Sequence, residues 1–120
     1  MKLLRSFVYA FTGIRSAFAS ELNFRIHAVV AAGVMILAAA LHISVPEWLL
    51  VGFCIALVLV TEMLNTAIEK LCDIVQPGLH PAIKKVKDIA AGAVLVAAIF
   101  SSITGLIIFV PKIMEYCKSF

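Results

Sequence analysis

The sequence predicts an all-α membrane protein in which an amphipathic interfacial helix precedes three transmembrane helices. Hydrophobic residues make up 63% of the 120 residues and charged residues only 14%, against about 45–50% and about 25% in soluble domains. Three apolar stretches also reach the length of about 20 residues that a helix needs to cross a bilayer. These observations exclude a soluble globular domain, and we expect residues 1–120 to form one membrane domain.

The first element, at about residues 3–20, is predicted to be a helix that lies in the membrane interface. Its large apolar side chains alternate between spacings of three and four, which places them on one helix face. They are Leu4, Phe7, Phe11, Ile14 and Phe18. The polar side chains of the opposite face are Arg5, Tyr9, Thr12 and Ser16. A helix with one apolar and one polar face lies on a membrane and does not cross it.

Three transmembrane spans follow, at about residues 26–45, 48–70 and 89–110. His42 and the stretch Ser44–Glu47 end the first span, and Pro46 marks the next helix because proline is favoured in a first helical turn. Gln76–Pro81 is predicted to be a loop from its proline and glycine content. Pro111 and Lys112 are expected to close the third span, since proline disfavours continuation of a helix.

Small residues recur every four positions along the third span. They are Ala93, Ala97, Ser101 and Gly105. Such a row lets helices approach each other closely. Both packing within the chain and contact between subunits fit the row, and a thin bundle of three short spans favours self-association.

The basic residues are distributed unequally between the two sides of the predicted bundle. Of the ten Lys and Arg residues, eight lie in the N-terminal segment or in the connector 70–88, and two lie in the C-terminal tail. Because positive residues are retained in the cytoplasm, we expect the N-terminus and the connector to be cytoplasmic. No basic run with interleaved aromatic residues suggests a nucleic-acid partner. The scattered cysteines and histidines show no metal-site spacing.

The second predicted span carries a stripe of polar side chains. Its members, which fall within one narrow arc at about 100° per residue, are Glu62, Asn65, Glu69 and Asp73. An acidic group at the bilayer centre costs about 2.5–3.5 kcal/mol, so such groups are candidates for functional sites. Glu62 lies about 10 Å inside the cytoplasmic end of the span. A structural hydrogen bond is the alternative for Glu62, and simple solvation is the alternative for Glu69 and Asp73.

Three further charged residues are expected at the same membrane depth as this stripe. Glu21 lies between the amphipathic helix and the first span, where it could pair with Arg25 four residues on or join Glu69 in binding Mg²⁺. Asp88 suits the start of a helix, whereas Lys87 could offer its charge to a phosphate. We therefore expect all seven polar residues to gather into one cytoplasm-facing site.

The residues alone leave two classes of function open, a proton-coupled transporter and an interfacial enzyme that uses a metal ion, a phosphate and a base. Neither a P-loop nor a protein-kinase glycine loop is present to support nucleotide binding. Small transporters typically need four spans. A transporter also gives no reason for Glu21, Asn65 and Lys87 to share one site.

Three stretches resemble the prokaryotic diacylglycerol kinase family, which includes the undecaprenol kinases. They are Glu21-Leu22-Asn23-Phe24-Arg25-Ile26-His27, Glu62-Met63-Leu64-Asn65-Thr66-Ala67-Ile68-Glu69 and Lys87-Asp88-Ile89-Ala90-Ala91-Gly92-Ala93. The pattern E-x-x-N-[ST]-A-I-E in the second stretch is highly specific, and the resemblance covers the chain from about Arg5 to Pro111. Lys2 and Gly78-Leu79 depart from the family's usual residues, and neither lies in these stretches.

The resemblance implies transfer of the ATP γ-phosphoryl group to a membrane lipid alcohol with Mg²⁺, by a helical homotrimer of the bacterial cytoplasmic membrane. Matched position by position, it implies that Glu62 is the general base and binds the lipid substrate together with Asn65. Glu21 and Glu69 match the metal ligands. The residues that it implies for the nucleotide are Tyr9, Gly13, Glu21, Glu69, Asp73, Lys87 and Asp88. The form of residues 23–27 favours undecaprenol over diacylglycerol as the acceptor.

Overall fold

The computed structural model describes residues 1–120 as an entirely helical chain. Its four helices are α1 (Lys2–Ser20), α2 (Leu22–Ala40), α3 (Val45–Val75) and α4 (Pro81–Lys118). The last three are long and apolar enough to cross a membrane. The predicted fold class, an amphipathic helix followed by three helices able to span a bilayer, is confirmed.

The helix α1 is joined to α2 at Glu21, whose extended backbone interrupts the helix. Phe18 packs edge-on against Phe24 across this junction, with ring centroids 4.8 Å apart, and Ala17 is buried. The remaining large side chains of the apolar face, such as Phe7 and Phe11, are exposed on the protein surface. An exposed apolar face of this kind is what an interfacial helix presents to lipid.

The turn between α2 and α3 begins earlier than the sequence predicts. The predicted first span runs to residue 45, but α2 ends at Ala40 and His42 adopts a left-handed φ of 52°. Ser44 then caps α3, because its backbone N–H donates to Glu47 at 2.9 Å while its hydroxyl accepts from the Glu47 N–H. This reciprocal pair is a capping box. The prediction that Pro46 marks a new helix is confirmed.

The helices α3 and α4 form an antiparallel pair that is joined by the predicted loop. Ala97 on α4 is buried, and the Ser101 hydroxyl donates to the Cys54 carbonyl on α3 at 3.3 Å. Two members of the small-residue row therefore pack within the chain. This close approach is what a row of small side chains permits.

Pro111 does not end the last helix, and the expectation that it does is wrong. Proline removes one backbone donor and usually breaks a helix interior, yet α4 continues to Lys118. Two contacts hold the turn around Pro111. Phe109 packs in a buried apolar cluster, and Lys112 pairs with Glu47 of α3 at 3.3 Å. With 38 residues, α4 is about 57 Å long, so it extends beyond a hydrocarbon core of about 30 Å.

The buried apolar cluster of the chain lies beside the α2–α3 turn. Its members, which come from α2, the turn, α3 and α4, are Ala38, Ile43, Val51, Ile108 and Phe109. The polar stripe of α3 lies at the opposite end of the bundle. The fold therefore separates a packed apolar end from a polar end.

Candidate active site

The inner part of the predicted polar stripe is buried inside the bundle. Glu62, Asn65 and Thr66 expose 4%, 7% and 7% of their surfaces. Because α3 is continuous from Val45 to Val75, the spacings of three and four residues place these side chains on one face. That face is turned away from the bilayer.

Glu62 faces α2, where its nearest ionisable partner is a histidine. The His27 Nε2 atom lies 3.7 Å from Glu62 Oε2, which is longer than a hydrogen bond. Glu69 and Glu21 lie within electrostatic range of the same carboxylate. Glu62 is therefore not held by the hydrogen bond across helices that was its structural alternative, and its oxygens can accept a proton.

Asn65 makes a hydrogen bond to the next acidic residue along the stripe. Its Nδ2 donates to Glu69 Oε1 at 3.1 Å, whereas its Oδ1 is buried without any partner. A buried acceptor without a partner costs about 1–3 kcal/mol. An incoming donor or cation would relieve this cost.

The unpartnered amide oxygen and the Glu69 carboxylate fit a magnesium ion. Mg²⁺ prefers carboxylate and carbonyl oxygens, and in nucleotide sites it keeps waters and binds phosphates. No three acidic, histidine or cysteine side chains of the chain gather at one point. The remaining ligands of such an ion would therefore have to come from outside the chain, and phosphate oxygens and water are the usual ones.

Glu21 is held by a residue that the sequence did not identify. The Lys70 Nζ atom lies 3.4 Å from Glu21 Oε1, so Glu21 pairs with α3 and not with Arg25. Both partners are partly exposed. The pair joins the α1–α2 junction to the α3 turn that carries Glu69, and it places an ammonium group on a carboxylate that the resemblance assigns to a metal.

The connector carries two further ion pairs at the outer edge of the site. Lys87 donates to Asp73 at 2.7 Å, and Lys84 donates to Asp88 at 2.6 Å. The hydrogen bond to Asp73 raises the pKa of Lys87, which precedes the third span. Lys87 and Asp88 therefore engage different partners, and Lys87 presents a positive charge beside the end of α3.

The predicted site residues do not lie at one depth, and that expectation is wrong. Glu62 and Asp73 are about 16 Å apart along α3, at about 1.5 Å of rise per residue. Asp73 is exposed whereas Glu62 is buried. The polar stripe thus runs from a buried inner group to a solvated outer group.

Two predicted nucleotide residues lie apart from the rest of the site within this chain. Tyr9 exposes 71% of its surface, and Gly13 is also exposed on α1. A side chain added at Gly13 would meet nothing within 4 Å. One copy of the chain does not bring these residues against α3.

Two signals in the sequence pointed towards the residues that sequence reasoning missed. His27 is the last residue of the stretch 21–27 that resembles the kinase family, and Lys70 directly follows Glu69. Their roles depend on contacts between different helices. Residue spacing along one helix carries no information about such contacts.

Comparison with known proteins gives a consistent result over nearly the whole chain. A sequence profile of the family described as prokaryotic diacylglycerol kinase matches residues 8–109. An undecaprenol kinase of Bacillus subtilis is 41% identical over 112 residues, which cover 93% of this chain and 91% of the relative. A diacylglycerol kinase of Synechocystis is 40% identical over 94% of this chain and 65% of the relative. The diacylglycerol kinase of Escherichia coli K12 is 29% identical over 89% of this chain and 88% of the relative.

The profile match covers α2, α3, most of α1 and the apolar part of α4. It therefore includes the stripe on α3 and its partners His27 on α2 and Lys87 on α4. This chain belongs to the prokaryotic diacylglycerol kinase family.

Proposed function

We propose that this protein is a lipid kinase that transfers the γ-phosphoryl group of ATP to the hydroxyl of a membrane lipid alcohol. The observation that carries the proposal is the burial of Glu62 beside Asn65 and Glu69 in a helix able to cross the bilayer. A bilayer-embedded hydroxyl cannot leave the membrane. Its base must therefore lie on a spanning helix, and Glu62 meets that requirement.

We propose undecaprenol as the acceptor, with diacylglycerol as the alternative. The undecaprenol kinase named above matches this chain over 91% of its own length, which supports the first choice. The second is supported by diacylglycerol kinases at 40% and 29% identity. Both alcohols present one primary hydroxyl at the membrane surface, and they differ in the tail.

The site residues divide the work of phosphoryl transfer between proton removal and charge stabilisation. Glu62 accepts the hydroxyl proton while Asn65 helps to orient the lipid. Lys87 offers its positive charge to the nucleotide phosphates, next to Asp73 and Asp88. Glu21 and Glu69, with the free oxygen of Asn65, would hold Mg²⁺, which neutralises phosphate charge when bound. Phosphoryl transfer depends mostly on positioning and electrostatics, so these few groups can suffice.

We further propose a homotrimer in the bacterial cytoplasmic membrane, with the site and the N-terminus facing the cytoplasm. The excess of Lys and Arg at the site end supports this orientation, because positive loops stay in the cytoplasm. Sharing of sites between subunits would explain why Tyr9 and Gly13 lie apart from Glu62 within one chain. Under this proposal, α1 of one subunit covers the nucleotide of another.

The experiment that tests this function offers both lipids to the purified protein side by side. The protein in detergent micelles receives ATP labelled in the γ-phosphate, with undecaprenol or diacylglycerol, and with Mg²⁺ or excess EDTA. We expect labelled undecaprenyl phosphate to form faster than phosphatidic acid, and only with Mg²⁺. A reversed rate ratio would establish the alternative acceptor. Labelling of neither lipid would overturn the proposal.

A further inference from the structure

His27 is the basic side chain that lies nearest to the buried carboxylate of α3. Its Nε2 atom is 3.7 Å from Glu62 Oε2, and no other ion pair reaches Glu62. The Glu62 side chain exposes 5% of its surface, whereas the His27 side chain exposes 28%. His27 is therefore partly exposed, whereas the carboxylate that it faces is buried.

A buried base needs a way to lose the proton that it has accepted. In the proposed reaction the lipid O–H bond breaks as the new O–P bond forms, and the proton moves to a Glu62 oxygen. Glu62 must release this proton before the next turnover. The charged groups within range of Glu62 besides His27 are Glu69 and Glu21, and both of these carboxylates are proposed to be occupied by the metal.

We propose that His27 is the proton relay of this site. It does not touch the substrate and acts only by taking the proton from Glu62. This inference rests on the proposed function. The proton passes from the Glu62 carboxyl to the neutral Nε2 atom of His27, and the resulting imidazolium releases it to water. An imidazole takes up and gives off protons near neutral pH. ATP and the lipid alcohol thus yield ADP, the lipid phosphate and one proton.

The distance of 3.7 Å must shorten by a few tenths of an ångström for direct transfer. Catalytic hydrogen bonds are often long before the substrate binds, and they tighten in the complex. The geometry therefore suits a contact that becomes productive on binding.

A cavity beside His27 makes the proposal testable by chemical rescue. The cavity between α2, α3 and α4 has a volume of about 410 Å³, and its lining includes His27, Val30 and Leu59. Its walls are largely apolar. Truncation of His27 would enlarge this space further, so that a free imidazole molecule could enter next to Glu62.

The test measures lipid phosphorylation by the whole protein carrying His27→Ala, at fixed pH with increasing concentrations of imidazole. We expect a loss of about 100-fold in turnover, at the lower end of what a proton-transfer group contributes, and recovery in proportion to the imidazole added. His42→Ala is the matched control, because His42 lies in the α2–α3 turn at the other end of α2. It should keep full turnover and show no response to imidazole.

A second variant separates a relay from a purely structural contact. His27→Gln keeps an N–H donor for Glu62 but cannot carry a proton, so we expect it to be as slow as His27→Ala. Wild-type turnover in His27→Gln would overturn the relay, as would a slow His27→Ala protein that binds ATP normally and ignores imidazole. If the wild-type protein phosphorylates neither lipid, the proposed function itself fails, which is a different result from an active protein that is indifferent to His27.

Discussion

The two ends of the helical bundle differ in how completely their side chains are packed and paired within the chain. At the α2–α3 turn, five apolar residues form a buried cluster, a capping box begins α3, and Lys112 pairs with Glu47. At the other end, Glu62 and Asn65 are buried with incomplete polar contacts, and Glu21 is held only by a partly exposed lysine. One end satisfies its own groups, whereas the other leaves groups for a ligand to satisfy.

This difference separates stability from function along the length of the bundle. Helix packing and capping at the turn end do not require any ligand. The free oxygen of Asn65 and the buried charge of Glu62 cost stability in the chain alone. Changes at the polar end should therefore alter activity far more than stability, and changes at the turn end should do the reverse.

Among changes outside the proposed base Glu62, the largest effect is expected from Glu69→Gln, which removes a proposed metal ligand while preserving the shape of the side chain. Mutation of a residue that only hydrogen-bonds to a metal ligand already lowers metal affinity or activity by about 10–100-fold. Because Glu69 is proposed to bind the metal itself, we expect turnover to fall by at least about 100-fold. The measurement is Mn²⁺ binding by electron paramagnetic resonance, alongside turnover. Glu115→Gln, an exposed position near the C-terminus, is the control, and equal Mn²⁺ affinity in the two variants would contradict the assignment.

Asn65→Leu should move stability and activity in opposite directions. The change removes a buried oxygen that has no partner, so thermal stability without ligands should rise or stay constant. Turnover should fall by about 10–100-fold, because the hydrogen bond that orients Glu69 is lost. Thermal unfolding and lipid phosphorylation are measured on the same sample. A protein that loses stability but keeps its turnover would reverse our comparison of the two ends.

Lys87→Met should weaken nucleotide binding by about tenfold or more, since it removes a charge-assisted hydrogen bond to a phosphate, and such bonds are stronger than neutral ones. We expect the KM for ATP to rise while the KM for the lipid stays nearly constant. The neighbouring exposed residue Lys85 supplies the matched control, Lys85→Met. A higher KM for the lipid alone would argue that Lys87 contacts the acceptor and not the phosphates.

The smallest effect is expected from Lys112→Met at the turn end. Its pairing with Glu47 is partly exposed, and exposed ion pairs add little to stability. Thermal stability should therefore decrease slightly, and turnover should not change. A loss of activity in this variant would show that the two ends are coupled through α4.

The fold was largely predictable because helix periodicity and span length are local properties. The apolar face of α1 and the inner stripe of α3 follow directly from spacings of three and four residues. The end of α2 and the continuation of α4 were mispredicted for different reasons. The pairing of Lys112 with Glu47 joins α4 to α3 and so lies outside any single stretch of sequence. Left-handed His42 and the capping box of Ser44 and Glu47 are local to the α2–α3 turn.

The candidate site was predictable as a set of residues but not as an arrangement. Glu62, Asn65 and Glu69 share a face, and the structure joins the last two by a hydrogen bond. The partners of these groups on other helices were not predictable. Lys70 on Glu21 and His27 on Glu62 became visible only once α2 and α3 were packed together.

Glu62→Gln tests the central claim most directly, because it removes the basic carboxylate at the buried position while keeping the size of the side chain. Lipid phosphorylation is measured beside Glu47→Gln, the same exchange at the turn end of the same helix. We predict a loss of about 100- to 10,000-fold for Glu62→Gln, the range expected of a general base, with ATP binding and oligomeric size unchanged. Turnover equal to that of Glu47→Gln would contradict the account.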